Sequence, residues 1–480
     1  MRADFRNLII ILSLILFYRI YVLYTLPYDF YFDEAYYWFW SKNFDFGYYS
    51  KPPMIAWVIA LSGFVCGESL FCIKLPFAIF YFLSSLLIYF TALRLYDKRV
   101  AFYSSIAFFT LPSVFLSSII AATDGVFLFF WALSLYLFLR ALREDRLWIW
   151  ISLGVSGGFG LLSKYTMILF LVGALIYLAF RRRDVFKSRG FYISLVIAFL
   201  IFLPNLWWNF QNGFVTFLHT KENADIHGKL FHLNTLFEFL GSQLGVFGPI
   251  FFPILLYLLI FFKRFKDDDR YLFLVSFVAP LFLLITTLSY ISRAHANWSA
   301  PIYIAASILT VWYMLEREFK KLLYFGIVLN IFLGVAVYNF DKIADMLSIE
   351  LTAKNDPFKK VRGWAKIAKK IDVVRKEYDL ELIFDDRMDM SEMIYYLKPH
   401  PLNSFFWNPE GRIENYFALV SDLKGREGES FLFVTKKEDP KIGEYFKRVK
   451  LIKVVEIPIH KDYFRRYFIF LAEDFKGYKK

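Results

Sequence analysis

Apolar runs dominate the first 340 residues, and charged clusters punctuate them. Runs at about 7–27, 73–93, 190–208, 242–262, 271–289, 298–315 and 322–339 approach the roughly 20 residues that a membrane helix needs. Two further regions, about 100–139 and 147–180, are longer, and no cluster of charge divides either one. Six basic clusters decide how these are counted: Arg2/Arg6, Arg94 with Lys98 and Arg99, Arg140/Arg143/Arg146, Arg181–Arg183 with Lys187 and Arg189, Lys263/Arg264/Lys266, and Arg317 with Lys320 and Lys321. Short loops rich in Lys and Arg stay cytoplasmic. All six do so only if each long region crosses twice, folding back near 119–124 and near 163–165. The pattern therefore predicts 11 crossings, an inside N-terminus and an outside C-terminus. The first run follows Met1-Arg-Ala-Asp-Phe-Arg6 with no small-residue cleavage signal, so it reads as a retained helix.

Between the first two runs, residues 33–42 and 53–65 are apolar but too short to span, and they are rich in Trp and Tyr. They read as helices lying at the interface, the second starting at Pro52-Pro53. Past residue 340 the pattern shortens. An amphipathic helix is expected over 358–378, strands over 380–385, 430–435 and 467–472, and a helix over 391–397. The chain thus divides into a membrane domain, 1–340, and an outward-facing α/β domain, 341–480.

Composition agrees. Of 480 residues, 58% are hydrophobic and 21% aromatic, with a mean hydropathy of +0.45. An ordinary soluble chain is nearer ~45–50% apolar. The net charge of +13 lies mostly between apolar runs, which is a topological pattern and not a nucleic-acid surface. Cys66 and Cys72 are close enough in sequence for a disulfide, but we read them as two buried free thiols.

Charge parity also gathers the ionisable residues that interrupt the apolar pattern. Asp33, Glu34 and Lys51 lie in the first outward loop, Asp124 and Lys164 at the two fold-backs, and Arg293, His295 and Asn297 in a later outward loop. Carboxylates and lysines at membrane depth are costly unless water or substrate meets them. A carboxylate can take a proton from an acceptor hydroxyl, and cations can take up the charge of a leaving phosphate. Asp33 is the candidate base. Lys51, Lys164, Arg293 and His295 are candidates for the phosphate. Glu34 points elsewhere on a helix and has the stronger claim to a structural role, but it stays among the candidate substrate contacts with Tyr36, Tyr37, Tyr165 and Asn297. Each has a plainer reading: Lys51 and Lys164 as lysines snorkelling to the headgroups, Asp124 as the cap of the next helix, Asn297 as packing. His219, His227 and His232 share a loop but have no tight metal spacing. No cofactor is required, and a divalent metal is compatible with these residues without being called for.

Several segments carry a resemblance: Phe32-Asp-Glu-Ala-Tyr-Tyr-Trp38, Gly47-Tyr-Tyr-Ser-Lys-Pro-Pro53, Thr123-Asp-Gly125, Gly160-Leu-Leu-Ser-Lys-Tyr165, Leu203-Pro-Asn-Leu-Trp-Trp-Asn209, His295-Ala-Asn-Trp-Ser-Ala-Pro301 and the tail segment Asp385–Leu397. Together they resemble the GT-C glycosyltransferases that use polyprenyl-phosphate sugars, among them protein O-mannosyltransferases and lipid A aminoarabinose transferases. The resemblance implies a GT-C membrane fold and an inverting transfer from a polyprenyl-phosphate sugar to a lipid or glycan acceptor, lipid A-like first. It implies membrane lipids and no nucleic acid as partners, and a bacterial inner-membrane location with the site outside. It makes Asp33 the catalytic aspartate, Asp124 a second acidic residue on the acceptor side, and Lys51 a phosphate ligand. Two positions depart from the aminoarabinose transferases: Ser50 stands where they carry Glu, and Tyr36 where they carry Arg. A protein O-mannosyltransferase and a non-enzymatic lipid flippase are the alternatives. Charges gathered at one face, without internal repeats, favour an enzyme over a transporter.

Overall fold

A computed structural model describes residues 2–218, 232–292 and 294–478. The chain enters as α1 (Arg2–Thr25), lies across one end of a helical bundle as α2 (Phe32–Trp40) and α3 (Met54–Cys66), and returns as α4 (Leu70–Leu95). The first long apolar region folds back through α5 (Lys98–Phe109) and α6 (Pro112–Ser117) into α7 (Thr123–Glu144). The second folds back from α8 (Leu147–Ser163) into α9 (Ile168–Arg181). Then come α10 (Arg189–Gln211), α11 (Leu233–Val246) continued by α12 (Phe251–Ile260), α13 (Asp269–Ser276) continued by α14 (Ala279–Ile291), α15 (Ile302–Glu316) and α16 (Lys320–Tyr338). With α5 and α6 as one pass, the described residues make eleven passes. Six stretches are long and apolar enough to cross a membrane, and shorter apolar helices fill the rest. The chain is a multi-pass membrane protein.

Proline explains the broken passes. Pro112 starts α6, Pro249 follows Gly248 between α11 and α12, and Pro280 sits in the first turn of α14. Proline lacks the N–H that would continue the ladder. Gly248 is required at its break: its φ is +98°, and a Cβ there would lie 2.6 Å from Asn330 Oδ1. Arg19 answers the break after α5. It is fully buried in α1, donates to the Phe109 carbonyl, and lies over the Phe109 and Phe115 rings at 3.9 and 4.6 Å.

Several of the basic clusters meet at the end of the bundle away from α2. Arg143 donates to the Arg94 carbonyl, Arg182 to the Leu142 carbonyl at 2.9 Å, and Arg181 to the Lys266 carbonyl at 2.8 Å. The first two acceptors lie in the last turns of α4 and α7, where the helix dipole is negative.

At the α2 end, α17 (Phe340–Met346) leads into a sheet domain with α18 (Trp364–Tyr378), β1 (Leu382–Phe384), α19 (Arg387–Tyr396), β2 (Phe405–Phe406), α20 (Tyr416–Val420), β3 (Phe431–Thr435), β4 (Phe446–His460) and β5 (Tyr463–Phe475). The strand order is β2-β1-β3-β5-β4, with β1 parallel to β2 and β3 and β5 antiparallel to β3 and β4. Alternation sorts the faces. Leu382, Phe384, Leu432, Val434 and Ile469 join the α18 and α19 core, while Ile383, Phe431, Phe433 and Phe470 join the core on the other side. The first of these cores also contains Ala35, Tyr36, Trp38 and Ile73, so one apolar interior runs from the bundle end into the sheet domain.

The structure corrects two expectations. Cys66 and Cys72 form a disulfide and are not free thiols. The chain turns at Gly67, whose φ is +89°, and Ser69 caps α4, which brings the two Cα atoms to 5.7 Å. The helix expected from residue 358 begins at Trp364, because Gly363 adopts φ +81° and the preceding chain is tied by Arg362 to Asp356 and Asp341.

Candidate functional site

The site lies where α2, the loop after it, the two fold-backs and α19 meet. α2 starts at Tyr31, whose N–H donates to Glu34 Oε2 at 2.9 Å, half of a capping box. Glu34 also accepts from the Ala121 N–H at 2.7 Å and pairs with Lys74 at 3.1 Å, and its side chain is 1% exposed. Its oxygens are therefore committed to joining α2, α4 and the first fold-back. Asp33, one residue earlier, faces the pocket with a 35% exposed side chain. Burial pushes its carboxyl above the usual aspartate range, and Arg387 and then Lys51 pull it back.

Lys51 follows a tight turn in which Tyr48 and Lys51 exchange backbone hydrogen bonds at 3.2 and 3.3 Å. The loop is clamped from α10 and from the segment that follows it. Trp208 donates to Asp45 at 2.7 Å, Asn205 to the Phe46 carbonyl at 2.7 Å, and Thr216 to the Tyr48 carbonyl at 3.0 Å. Gly47 allows this approach, since a Cβ there would come within 2.4 Å of the Trp208 indole. Among the described residues the Lys51 ammonium has neither an ion pair nor a hydrogen bond. Burial first, and then the charge of Lys164, hold its pKa below the ordinary lysine value, with Asp33 and Asp124 acting in the opposite direction.

The two fold-backs supply the other half. Asp124 sits in the first turn of α7 but does not cap it; the cap position is Ala122. Its oxygens turn instead to Lys164, at 2.7 Å, and to the Asn297 amide, at 3.0 Å. Lys164 ends α8 in extended backbone and is 18% exposed on its side chain. Tyr37 is buried next to these groups, and burial, followed by the charge of Asp33, keeps its phenol protonated.

Asp33, Tyr37, Lys51, Asp124, Lys164 and Asn297 thus converge. Tyr36 does not face the pocket: it is fully buried and accepts a hydrogen bond from the Tyr416 N–H of the sheet domain. Tyr165 supports the Lys51 clamp, donating to Asn205 at 3.0 Å, accepting from Asn209 at 3.2 Å and stacking on Phe217 at 5.0 Å. His295 is exposed and packs its ring edge-on to Trp298 at 5.4 Å. Arg293, His219 and His227 lie outside the described residues. Among the described residues no three His, Cys, Asp or Glu side chains gather as metal ligands.

One residue of the site was missed from sequence. Arg387 opens α19, reaches Asp33 at 3.7 Å, and lies over the rings of Phe32 and Tyr36. The signal was local and faint: Asp386, whose carboxylate caps α19 by accepting from Met388 N and Asp389 N.

With this geometry in place, known proteins give a consistent picture. The family model described as dolichyl-phosphate-mannose-protein mannosyltransferase matches residues 50–208. The lipid A galacturonosyltransferase RgtD of Rhizobium johnstonii is 32% identical over 406 residues, covering 83% of this chain and 85% of that protein. An undecaprenyl phosphate-alpha-4-amino-4-deoxy-L-arabinose arabinosyl transferase of Pseudomonas savastanoi pv. phaseolicola is 31% identical over 163 residues, 33% of this chain and 31% of that protein. The crystal structure of ArnT from Cupriavidus metallidurans bound to undecaprenyl phosphate shares the fold, with TM-score 0.65 over 96% of this chain and 97% of that one, at 14% identity.

Proposed function

This chain belongs to the GT-C glycosyltransferases, and from that premise we propose that it moves a sugar from a polyprenyl-phosphate donor to a hydroxyl of an envelope lipid of the lipid A type. The observation that carries the reading is Lys51: a half-buried ammonium with no ion pair or hydrogen bond among the described residues, in the field of Lys164, Asp33 and Asp124. Asp124 already answers Lys164, whereas the Lys51 charge has no such contact, and a phosphate supplies one.

The acceptor O–H gives its proton to Asp33, and its oxygen attacks the anomeric carbon. The bond from that carbon to the phosphate oxygen breaks, and its electron pair leaves with the phosphate. The products are the glycosylated lipid, polyprenyl phosphate and protonated Asp33. One attack on one face inverts the anomeric centre. The raised pKa of Asp33 suits a base, since it favours proton uptake. Lys51 and Lys164 take the charge that grows on the phosphate. Asp124 holds Lys164 and Asn297 in place, and its oxygens keep lone pairs for an acceptor hydroxyl. Trp207, Phe210, Phe214 and Phe217 are exposed around the end of α10, next to the Lys51 clamp, and offer an apolar surface to the prenyl chain.

We place the protein in a bacterial inner membrane, with the basic end of the bundle cytoplasmic and the site and residues 341–480 outside. RgtD acts on lipid A and transfers galacturonic acid, so an acidic hexose is the sugar class we carry forward. Transfer to protein is the second reading, favoured by the description of the matching family model. The test is a transfer assay with purified enzyme, a polyprenyl-phosphate sugar, and either a lipid A or a peptide acceptor, read by mass spectrometry. A mass gain on lipid A with inverted configuration is expected. Transfer only to peptide, or with retention, refutes the reading.

A further inference from the structure

Arg387 enters the pocket from the sheet domain, not from the membrane bundle. The Asp386 cap fixes it at the first position of α19. Its guanidinium lies 5.3 Å from the Phe32 ring centre and 5.1 Å from that of Tyr36. Its nearest charge, Asp33, is at 3.7 Å, too far for a hydrogen bond. Among the described residues no hydrogen bond engages any of its N–H donors, and its side chain is 34% exposed. A partly exposed, long ion pair stabilises little by itself. A guanidinium held on aromatic faces with an idle fork is instead a receptor for a planar oxyanion.

The donor's own phosphate already has Lys51 and Lys164. In the reaction proposed above Asp33 takes the proton of the acceptor oxygen as that oxygen reaches the anomeric carbon, so a group next to Asp33 lies within reach of the sugar ring. The Tyr36 ring, on the same helix as Asp33, serves as a platform for this guanidinium from a distant part of the chain. We propose that Arg387 is the specificity residue for the donor sugar: its fork receives the carboxylate of a hexuronate, so that a polyprenyl-phosphate hexuronate is taken in preference to the neutral hexose. The assignment rests on the transfer reaction above.

The full-length parent, Arg387→Gln and Arg387→Lys are each given two synthetic polyprenyl-phosphate donors that differ only at C6, a carboxylate against a hydroxymethyl. Phosphorylated and dephosphorylated lipid acceptors are run in parallel. The parent is expected to favour the acid in kcat/KM. Arg387→Gln should lower the acid-to-neutral ratio by about 10- to 100-fold, the worth of one charged contact. Arg387→Lys, which keeps the charge without the fork, should fall between. The ratio is insensitive to the fraction of folded enzyme. An unchanged ratio in Arg387→Gln shows a role through Asp33 or through folding and overturns the proposal. A parent that prefers the neutral donor overturns it too, as does a loss confined to the phosphorylated acceptor. Transfer of neither sugar removes the underlying reaction as well, whereas transfer of the neutral sugar alone removes only the assignment of Arg387.

Discussion

Replacing Lys164 by methionine separates its two duties. The side chain pairs with Asp124 at 2.7 Å, and the two are only 18% and 12% exposed. Removing one partner of a buried pair usually costs about 3–5 kcal/mol, because the other charge is stranded. Asn297 still donates to the opposite oxygen at 3.0 Å, and residual exposure lowers the figure further. We expect Lys164→Met to destabilise by about 2–4 kcal/mol. The double variant Asp124→Asn/Lys164→Met removes the stranded charge and should return to within about 1 kcal/mol of the parent. Donor affinity should not return with it, because the phosphate has still lost a cation. Tryptophan-fluorescence melts in detergent report the first quantity and titration with a polyprenyl-phosphate donor the second. A single variant as stable as the parent refutes the buried pair. A double variant that binds donor like the parent shows that Lys164 serves only the fold.

Asp33→Asn should lower turnover by about 10²–10⁴ while leaving donor binding largely intact; near-normal turnover in a folded variant removes Asp33 as the base. In a pH profile of kcat/KM, the acid limb should lie above the ordinary aspartate value, since protonating Asp33 as pH falls abolishes the base. The basic limb should lie below the ordinary lysine value, since Lys51 loses its charge as pH rises; Lys51→Arg should move that limb upward, and an unmoved limb assigns it to another group. Single-cysteine labelling in a variant without Cys66 and Cys72 should modify position 436 from outside and position 187 only from inside; the reverse pattern overturns the orientation.

Much of the membrane architecture could be read from charge alone. The fold-backs before Asp124 and at Lys164 follow from keeping basic loops together, and Asp124, Lys164 and Asn297 do meet. Side-chain commitments were not legible. Tyr36 and Glu34 share the Asp33 helix and look equally available in sequence, yet one is covered by Tyr416 and the other tied to Lys74 and Ala121. Helical periodicity says which residues share a face, not what covers that face. β4 escaped notice because Lys447, Arg448, Lys450 and Lys453 interrupt its apolar alternation, as charges do on an edge strand. Arg387 escaped because its partners, Phe32, Asp33 and Tyr36, lie some 350 residues earlier.

The interior shared by α2 and the sheet domain has a consequence for how the protein is made. Every residue of α2 from Glu34 to Trp40 is buried, and part of that cover comes from Tyr395, Tyr416 and Phe417. The Asp29 carboxylate and the Phe30 N–H, just before α2, are held by Trp364 and Tyr396. A ribosome delivers the first loop early and its cover last. While the chain is growing, α2 is an aromatic helix without a lid, and Asp33 lacks Arg387. This end of the protein is therefore completed only as synthesis finishes. A chain stopped at the last membrane pass would be an inserted bundle with an open, adhesive face and no finished pocket.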